Sequence, residues 1–483
     1  MNNSRGQAST SWQARPVTVL KAVLSHGHLL AAVMAVPLGV AIIEQHWILS
    51  LALAGPTMVC AASALVSMRY GAPEDLREIE AVCTLVALFA LLSILPVPAF
   101  MVLDMGPHDA VFEAVSGVTS TGLTVAQGTM DWPFAGHILR GWLQWVGGFA
   151  IAVAGVALLL GPGSAASAMG SVGIDDRDLL RSTRTQARDL LIVYAVITAV
   201  AIIALVVLLP SWQEGIAVAL AAVSTGGFTP RPDSLASYSA TAQVVTILIC
   251  MSSAVSLIAY VYLRSQDWRG ALEHSEIASF TGFALAGLAC VGVVMTLTGA
   301  ASWAAIRDAM LNFLSGLSTA GFSTAPIATE PPYLALVLLA MVIGGGVGST
   351  AGGIKFDRVL TLAAMVRLSL LRLRIPPRAV TSLRNGRTKV PADRVISIAA
   401  VVFCYAVSAL LFWMVFLLSG EPPLASLFEV ISALSTVGLS SGLTGPDMQA
   451  HLKYVLIAAM LLGRLEFLAL LLALSPGTWI KRS

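Results

Sequence analysis

The sequence predicts an all-α polytopic membrane protein. Four parallel span–pore helix–span repeats are expected around a central pore with pseudo-fourfold symmetry, preceded by an N-terminal helix pair. Three observations predict this. Of 483 residues, 57% are hydrophobic and 11% charged, where soluble domains carry about 25% charged residues. Apolar stretches long enough to cross a hydrocarbon core of about 30 Å recur along the whole chain. One seven-residue pattern returns four times, about 100 residues apart.

Spans are expected near 22–43, 48–68, 81–103, 134–160, 187–209, 239–263, 277–298, 333–366, 395–418 and 452–475. The polar start, "MNNSRGQASTSWQARP", precedes a spanning-length run with no small-residue cleavage site, so that run reads as a retained first helix. Half-apolar stretches too short to cross lie between some spans and are candidates for re-entrant helices. Most Arg and Lys fall in the connections 69–80, 161–188, 264–275 and 367–394, while 104–133, 229–238, 324–332 and 441–451 share one arginine, Arg231. By the positive-inside bias, both termini are cytoplasmic and every re-entrant candidate lies on the outer side. The expected units are 1–78 for the helix pair, then 79–175, 176–270, 271–380 and 381–483 for the four repeats.

Several function classes are disfavoured. A net charge of +2 with locally clustered basic residues gives no reason to expect a nucleic-acid partner. Five cysteines are scattered through apolar segments without a CxxC pair and read as packing residues. The seven histidines lie near span ends or in loops, so an intramembrane enzyme has no base or metal cluster at depth.

The repeated pattern is an aliphatic residue, hydroxyl, hydroxyl, any residue, Gly, Leu or Phe, hydroxyl. It reads "VTSTGLT" at 118–124, "VSTGGFT" at 223–229, "LSTAGFS" at 317–323 and "LSTVGLS" at 434–440. One copy would be explained by close helix packing. Four copies, each after a short outer-side segment, point instead to irregular backbone lining a cavity. The candidate ion-facing residues are Thr119, Ser120, Thr121 and Gly122; Ser224, Thr225, Gly226 and Gly227; Ser318, Thr319, Ala320 and Gly321; and Ser435, Thr436, Val437 and Gly438. Rings of backbone carbonyls replace the water shell of a dehydrating cation. Oxygen ligands without acids suit a monovalent ion better than a divalent one. Glu113 and Glu429 precede their glycines by nine residues, with Val218 and Asn312 in those places in the second and third repeats. They either concentrate cations at the mouth or hydrogen-bond the backs of the loops.

The fourfold pattern, with "FEAVSGVTSTGLTV", "GGGVGSTAGGIKFDR" and "GRLEFLALLLALSP", resembles the Trk/Ktr/HKT superfamily of cation transporters, its TrkH-type potassium-uptake membrane subunits in particular. The resemblance runs from about residue 15 to the end and implies a monovalent cation path through the centre of each subunit. It assigns the filter glycines to Gly122, Gly227, Gly321 and Gly438, and four glycines favour potassium over sodium. Leu123 and Leu439 depart from the Phe of the other two repeats and bear on loop packing. The run 344–353 fits no nucleotide-binding pattern, since no Gly-Lys-Ser/Thr follows it. The resemblance implies an intramembrane gate formed by Gly344, Gly345, Gly346, Gly348, Gly352 and Gly353, with Lys355 at its cytoplasmic end. Arg464 stands within an apolar span, a costly position that marks a functional candidate. The resemblance puts it in the pore opposite the gate, and pairing with Glu466 or with loop carbonyls is the structural alternative.

The implied activity is potassium uptake across the bacterial inner membrane, with potassium as cargo, no organic cofactor and no enzymatic step. Alternatives are a sodium-conducting or potassium–sodium symporting relative, and the potassium-binding subunit of an ATP-driven pump. The implied partners are a second copy of the chain, a cytosolic ring of nucleotide-binding regulatory subunits and the lipid bilayer. The basic connection 367–394 either docks that ring or acts as a topology signal against anionic lipid.

Overall fold

The computed structural model describes residues 13–71, 73, 76–168, 176–264, 277–299, 302–327, 331–374, 376, 381–385 and 388–480. Among them, five helices are long and apolar enough to cross a membrane, and three bent helix pairs raise the number to eight if each is one span. Helices answer the membrane's demand that every backbone polar group be satisfied within its own segment. The one strand pairing among the described residues is a two-residue ladder, Arg384–Asn385 against Thr388–Lys389, in the basic connection.

Four short helices carry the repeat: Pro107–Val118, Trp212–Val223, Trp303–Leu317 and Pro423–Leu434. Their starts are set locally. Pro107 and Pro423 stand in the first turn, where a missing N–H costs nothing. Ser211 and Ser302 cap the other two, accepting from the Glu214 and Ala305 amides at 3.1 and 3.2 Å. Each pore helix packs against the second span of its own repeat and against that of the preceding repeat. The contact between Ala450–Arg464 and Pro107–Val118 closes this cycle. Pseudo-fourfold packing thus comes from a single chain.

The N-terminal pair, Pro16–Ile43 with a 40° bend and Trp47–Tyr70, lies outside the ring against the first repeat. Glu44 accepts from the Phe134 and Ala135 amides and so caps the helix Phe134–Ala168. Arg15 binds the buried Glu80 carboxylate with its main-chain and side-chain N–H groups.

Two spans expected to be continuous are broken. The helix pair Ala240–Ser253 and Leu257–Arg264 bends by 85°, and Ala450–Arg464 and Phe467–Leu474 by 110°. At the first break, backbone groups that an unbroken helix would use internally are taken by the glycine-rich run. The Gly346 amide donates to the Ala254 carbonyl at 2.8 Å, and the Leu257 amide to Gly348 at 3.0 Å. At the second, Glu466 holds a left-handed φ of 59° and pairs with Arg358 at 2.6 Å. Neither break carries a Pro or Gly, so neither was visible in the sequence. The third repeat's second span is interrupted as expected, between Pro331–Ile343 and Phe356–Arg372.

Candidate functional site

Every pore helix ends in the same way. The second hydroxyl of each pattern, Ser120, Thr225, Thr319 and Thr436, has a left-handed φ of 50°, 52°, 53° and 48°. The residue after it donates to the carbonyl five positions back: Thr121 to Ser116, Gly226 to Ala221, Ala320 to Ser315 and Val437 to Ser432. The left-handed residue itself donates three back, which completes a Schellman cap. Glycine usually fills that place; a β-branched threonine there is a backbone outlier that the surroundings must hold. Four identical outliers mark one functional backbone shape.

The next residue but one is the aligned glycine, with φ of 89°, 81°, 73° and 94° at Gly122, Gly227, Gly321 and Gly438. A Cβ on Gly122 would come within 3.0 Å of the Gly226 carbonyl oxygen, on Gly227 of Ala320, on Gly321 of Val437, and on Gly438 of Thr121. Each glycine therefore abuts the carbonyl that precedes the next repeat's glycine, and the fourth returns to the first. The carbonyls of Thr121, Gly226, Ala320 and Val437 form a closed ring. Each loop directly follows the C-terminal end of a pore helix, where the macrodipole presents partial negative charge to a cation.

The hydroxyls divide the supporting work. Thr119 and Ser224 bond back into their own helices, to Val115 and Leu220, and Ser435 meets the Tyr405 hydroxyl at 2.7 Å. Glu113 and Glu429 are fully buried and hold the loops from behind. Glu113 accepts from the Thr124 hydroxyl and the Val125 amide, Glu429 from Ser440, Ser441 and Thr444. Asn312 takes the Thr324 amide at 2.9 Å in the same way. The bracing alternative for these acids therefore describes the geometry. Leu123 and Leu439 are buried at 1% exposure, consistent with packing.

The hydroxyls of Thr225, Thr319 and Thr436 face the glycine-rich run, which folds back on itself. Ile354 and Lys355 donate to Val342 and Ile343, so entry and exit lie side by side. The Gly352 amide donates to Thr319 Oγ1 at 2.6 Å, the Gly353 amide to the Ser435 carbonyl at 3.0 Å, and Thr350 Oγ1 lies 3.3 Å from Thr225 Oγ1. A Cβ on Gly352 would meet the Ser435 carbonyl and Thr436 Oγ1, and one on Gly344 the Gly352 carbonyl. Only glycines let the loop seat this closely. Lys355 Nζ donates to the Ala351 carbonyl, tightening the same turn. Arg464, 2% exposed, donates to the Thr350 carbonyl and to Ser120 Oγ, each at 2.9 Å. Its partners are loop and filter, and Glu466 is bound elsewhere.

The candidate residues thus come together as two layers, a carbonyl ring and a loop docked on the helix caps that precede it. Two residues of the helix Phe134–Ala168 were missed by sequence reasoning. Arg140, 3% exposed, pairs with Glu113 at 2.8 Å, and Gln144 is fully buried against the second filter loop. Their signal was polar residues one turn apart in an apolar span. Among the described residues no cluster of three His, Cys, Asp or Glu could hold a metal ion.

The chain is similar to known cation transport proteins. A family model for a cation transport protein, TrkH, matches residues 81–265 and 294–479. The Trk system potassium uptake protein TrkH of Halomonas elongata is 31% identical over 396 residues, covering 78% of this chain and 80% of that protein. Its namesake in Escherichia coli K12 is 28% identical over 383 residues, covering 77% and 79%. The crystal structure of the potassium transporter TrkH from Vibrio parahaemolyticus matches at 24% identity with a TM-score of 0.84, over 96% of this chain and 100% of that one, and speaks to the fold. The family model spans more than half of the chain, and the residues it matches contain all four repeated loops, the docked loop and Arg464: the chain belongs to the TrkH family of cation transport proteins.

Proposed function

We propose that this chain takes up potassium across the bacterial inner membrane through the ring of carbonyls at Thr121, Gly226, Ala320 and Val437. The residues from Thr119, Ser224, Ser318 and Ser435 through the four glycines make up the filter. The observation that carries the reading is the closed glycine–carbonyl cycle. It puts four oxygens, and no carboxylate, at one level of one pathway. Two relatives at 31% and 28% identity bear the name of a potassium uptake protein, which favours potassium among monovalent ions. An inside-negative potential is worth about 2.3 kcal/mol per charge per 100 mV, so inward movement needs no nucleotide site in this chain.

In this reading the loop from Gly344 to Gly353, with Lys355, is the gate, and Arg464 is a fixed positive barrier that also holds the loop closed. We take the repeat boundaries to lie near 79–175, 176–270, 271–380 and 381–483. Both termini are cytoplasmic. The partners are a second copy of the chain and a cytosolic nucleotide-binding ring, which the relatives' membership of a named system favours. The ring docks on the basic connection 367–394, where Arg367, Arg372 and Arg374 are exposed and Arg378 and Arg387 lie outside the described residues.

Uptake into proteoliposomes under an imposed inside-negative potential, comparing potassium, rubidium, sodium and lithium, tests this reading. Potassium and rubidium well above sodium is the expected result. Equal or greater sodium uptake would move the function to a sodium-conducting relative with the same fold.

A further inference from the structure

The second repeat carries neither of two braces that the pore helices of the other repeats supply, both in the first and fourth and one in the third. Six residues before the glycine, the first and fourth repeats have Ser116 and Ser432, whose Oγ atoms accept the Gly122 and Gly438 amides at 3.1 Å. The third has Ser315, whose Oγ takes no hydrogen bond from its loop, and the second has Ala221. Nine residues before, Glu113, Asn312 and Glu429 each accept the amide three residues after the glycine, at Val125, Thr324 and Ser441. The second repeat has Val218 there, and its matching residue is Pro230, which has no amide proton to offer. Its pore helix therefore has no side chain with which to hold its own filter loop at either level.

The missing support comes from the first repeat. On the helix Phe134–Ala168, Arg140 and Gln144 stand one turn apart on one face. Gln144 Nε2 donates to the Gly226 carbonyl at 2.5 Å, and its Oε1 accepts the Phe228 amide at 3.3 Å. One partner is an obligate acceptor and the other an obligate donor, which fixes the orientation of the carboxamide. Arg140 donates to the Thr229 carbonyl at 3.0 Å and lies over the Phe228 ring at 4.0 Å. Gly226 makes room for this. The matching residues are Thr121, Ala320 and Val437, and a Cβ on Gly226 would fall within 3.0 Å of the Gln144 amide. Among the described residues, the other three ring carbonyls receive no side-chain donor.

We propose that Gln144 is a positioning residue for ion selection, holding the second repeat's filter carbonyl in place from the neighbouring repeat. Three departures of that repeat are one coordinated change: Ala221 removes the internal brace, Gly226 opens the space, and the Gln144 carboxamide fills it. The consequence is a ring with one oxygen shared between the cation and a fixed amide. This rests on the filter reading above and adds a residue that the pattern does not contain.

The test measures potassium and sodium uptake by wild type, Gln144→Leu and Gln144→Glu in proteoliposomes, with thermal melts of each. Both variants remove the donor, and the expected result is a potassium-to-sodium ratio lowered roughly three- to tenfold, the scale of one buried hydrogen bond. Gly226→Ala alone lowers the ratio, and Gly226→Ala combined with Gln144→Ala recovers part of it, because the pair then resembles the third repeat. A merely structural residue would not give that recovery. Unchanged ratios in folded Gln144 variants would overturn the proposal, as would loss of folded protein in both, which would assign Gln144 to stability. A wild type without preference for potassium would instead remove the filter reading itself.

Discussion

Arg464 donates to the Thr350 carbonyl at 2.9 Å while its other terminal nitrogen holds Ser120 Oγ at the same distance. One buried guanidinium thus joins the docked loop to the left-handed residue that ends the first pore helix. In the proposed reading a charge in this place acts twice, as an electrostatic obstacle to a cation leaving the ring and as a tie that keeps the loop seated.

Arg464→Ala removes both effects, so cation uptake should rise. Loss of about 1.4 kcal/mol from the barrier corresponds to about tenfold in rate, and the initial rate of rubidium uptake reads it. An unchanged rate in folded protein would end the barrier role.

Gly352→Ala separates the tie from the charge. Its Cβ would press on the Ser435 carbonyl and Thr436 Oγ1, so the loop should no longer seat while Arg464 is intact. Raised uptake with little change in the potassium-to-sodium ratio is expected. A fall in that ratio with no rise in uptake would mean that the loop shapes the filter rather than closing it.

Glu113→Gln tests the brace. Arg140 would then be a buried cation without its carboxylate, and breaking such a pair costs about 3–5 kcal/mol. A clearly lowered Tm is expected, and an unshifted one would show that Arg140 finds compensation from the Thr229 carbonyl.

The loop after the second glycine makes an acid-sensitive contact with the start of its pore helix. Burial pushes the Glu214 carboxyl up, but hydrogen bonds from Arg231 and Tyr238 outweigh it and leave the group below its usual 4.5. A carboxylate whose folded value is lowered stabilises the fold above the unfolded value, and that contribution is lost as pH falls through the folded one. Melts of the wild type should therefore weaken below about pH 4.5 on the acid side. Arg231→Gln should weaken less over the same interval, and equal slopes would exclude this pair as a cause.

What was legible in the sequence was whatever repeats. Gly122, Gly227, Gly321 and Gly438 aligned with no structure at hand, and the recurring apolar stretches announced the helices. The docked loop was legible because six glycines in ten residues cannot continue a helix at membrane depth. The bends at Ala254–Ser256 and Leu465–Glu466 were not, because they arise from contacts between distant segments that no local propensity encodes. Gln144 was missed for a related reason. Its meaning lies in Ala221 and Gly226, on another repeat, and emerges only when the four loops are compared side by side.

The central claim is that the four-glycine ring selects the ion. Gly122→Ser puts a Cβ where φ is 89° and the Gly226 carbonyl lies within 3.0 Å, displacing one ring oxygen without touching loop or arginine. The decisive measurement is the potassium-to-sodium uptake ratio of this variant beside the wild type, in the same liposomes and at the same potential. A potassium-preferring wild type whose preference shifts toward sodium in Gly122→Ser is the predicted result. An unaltered ratio in folded, active variant would contradict the assignment of this ring as the filter.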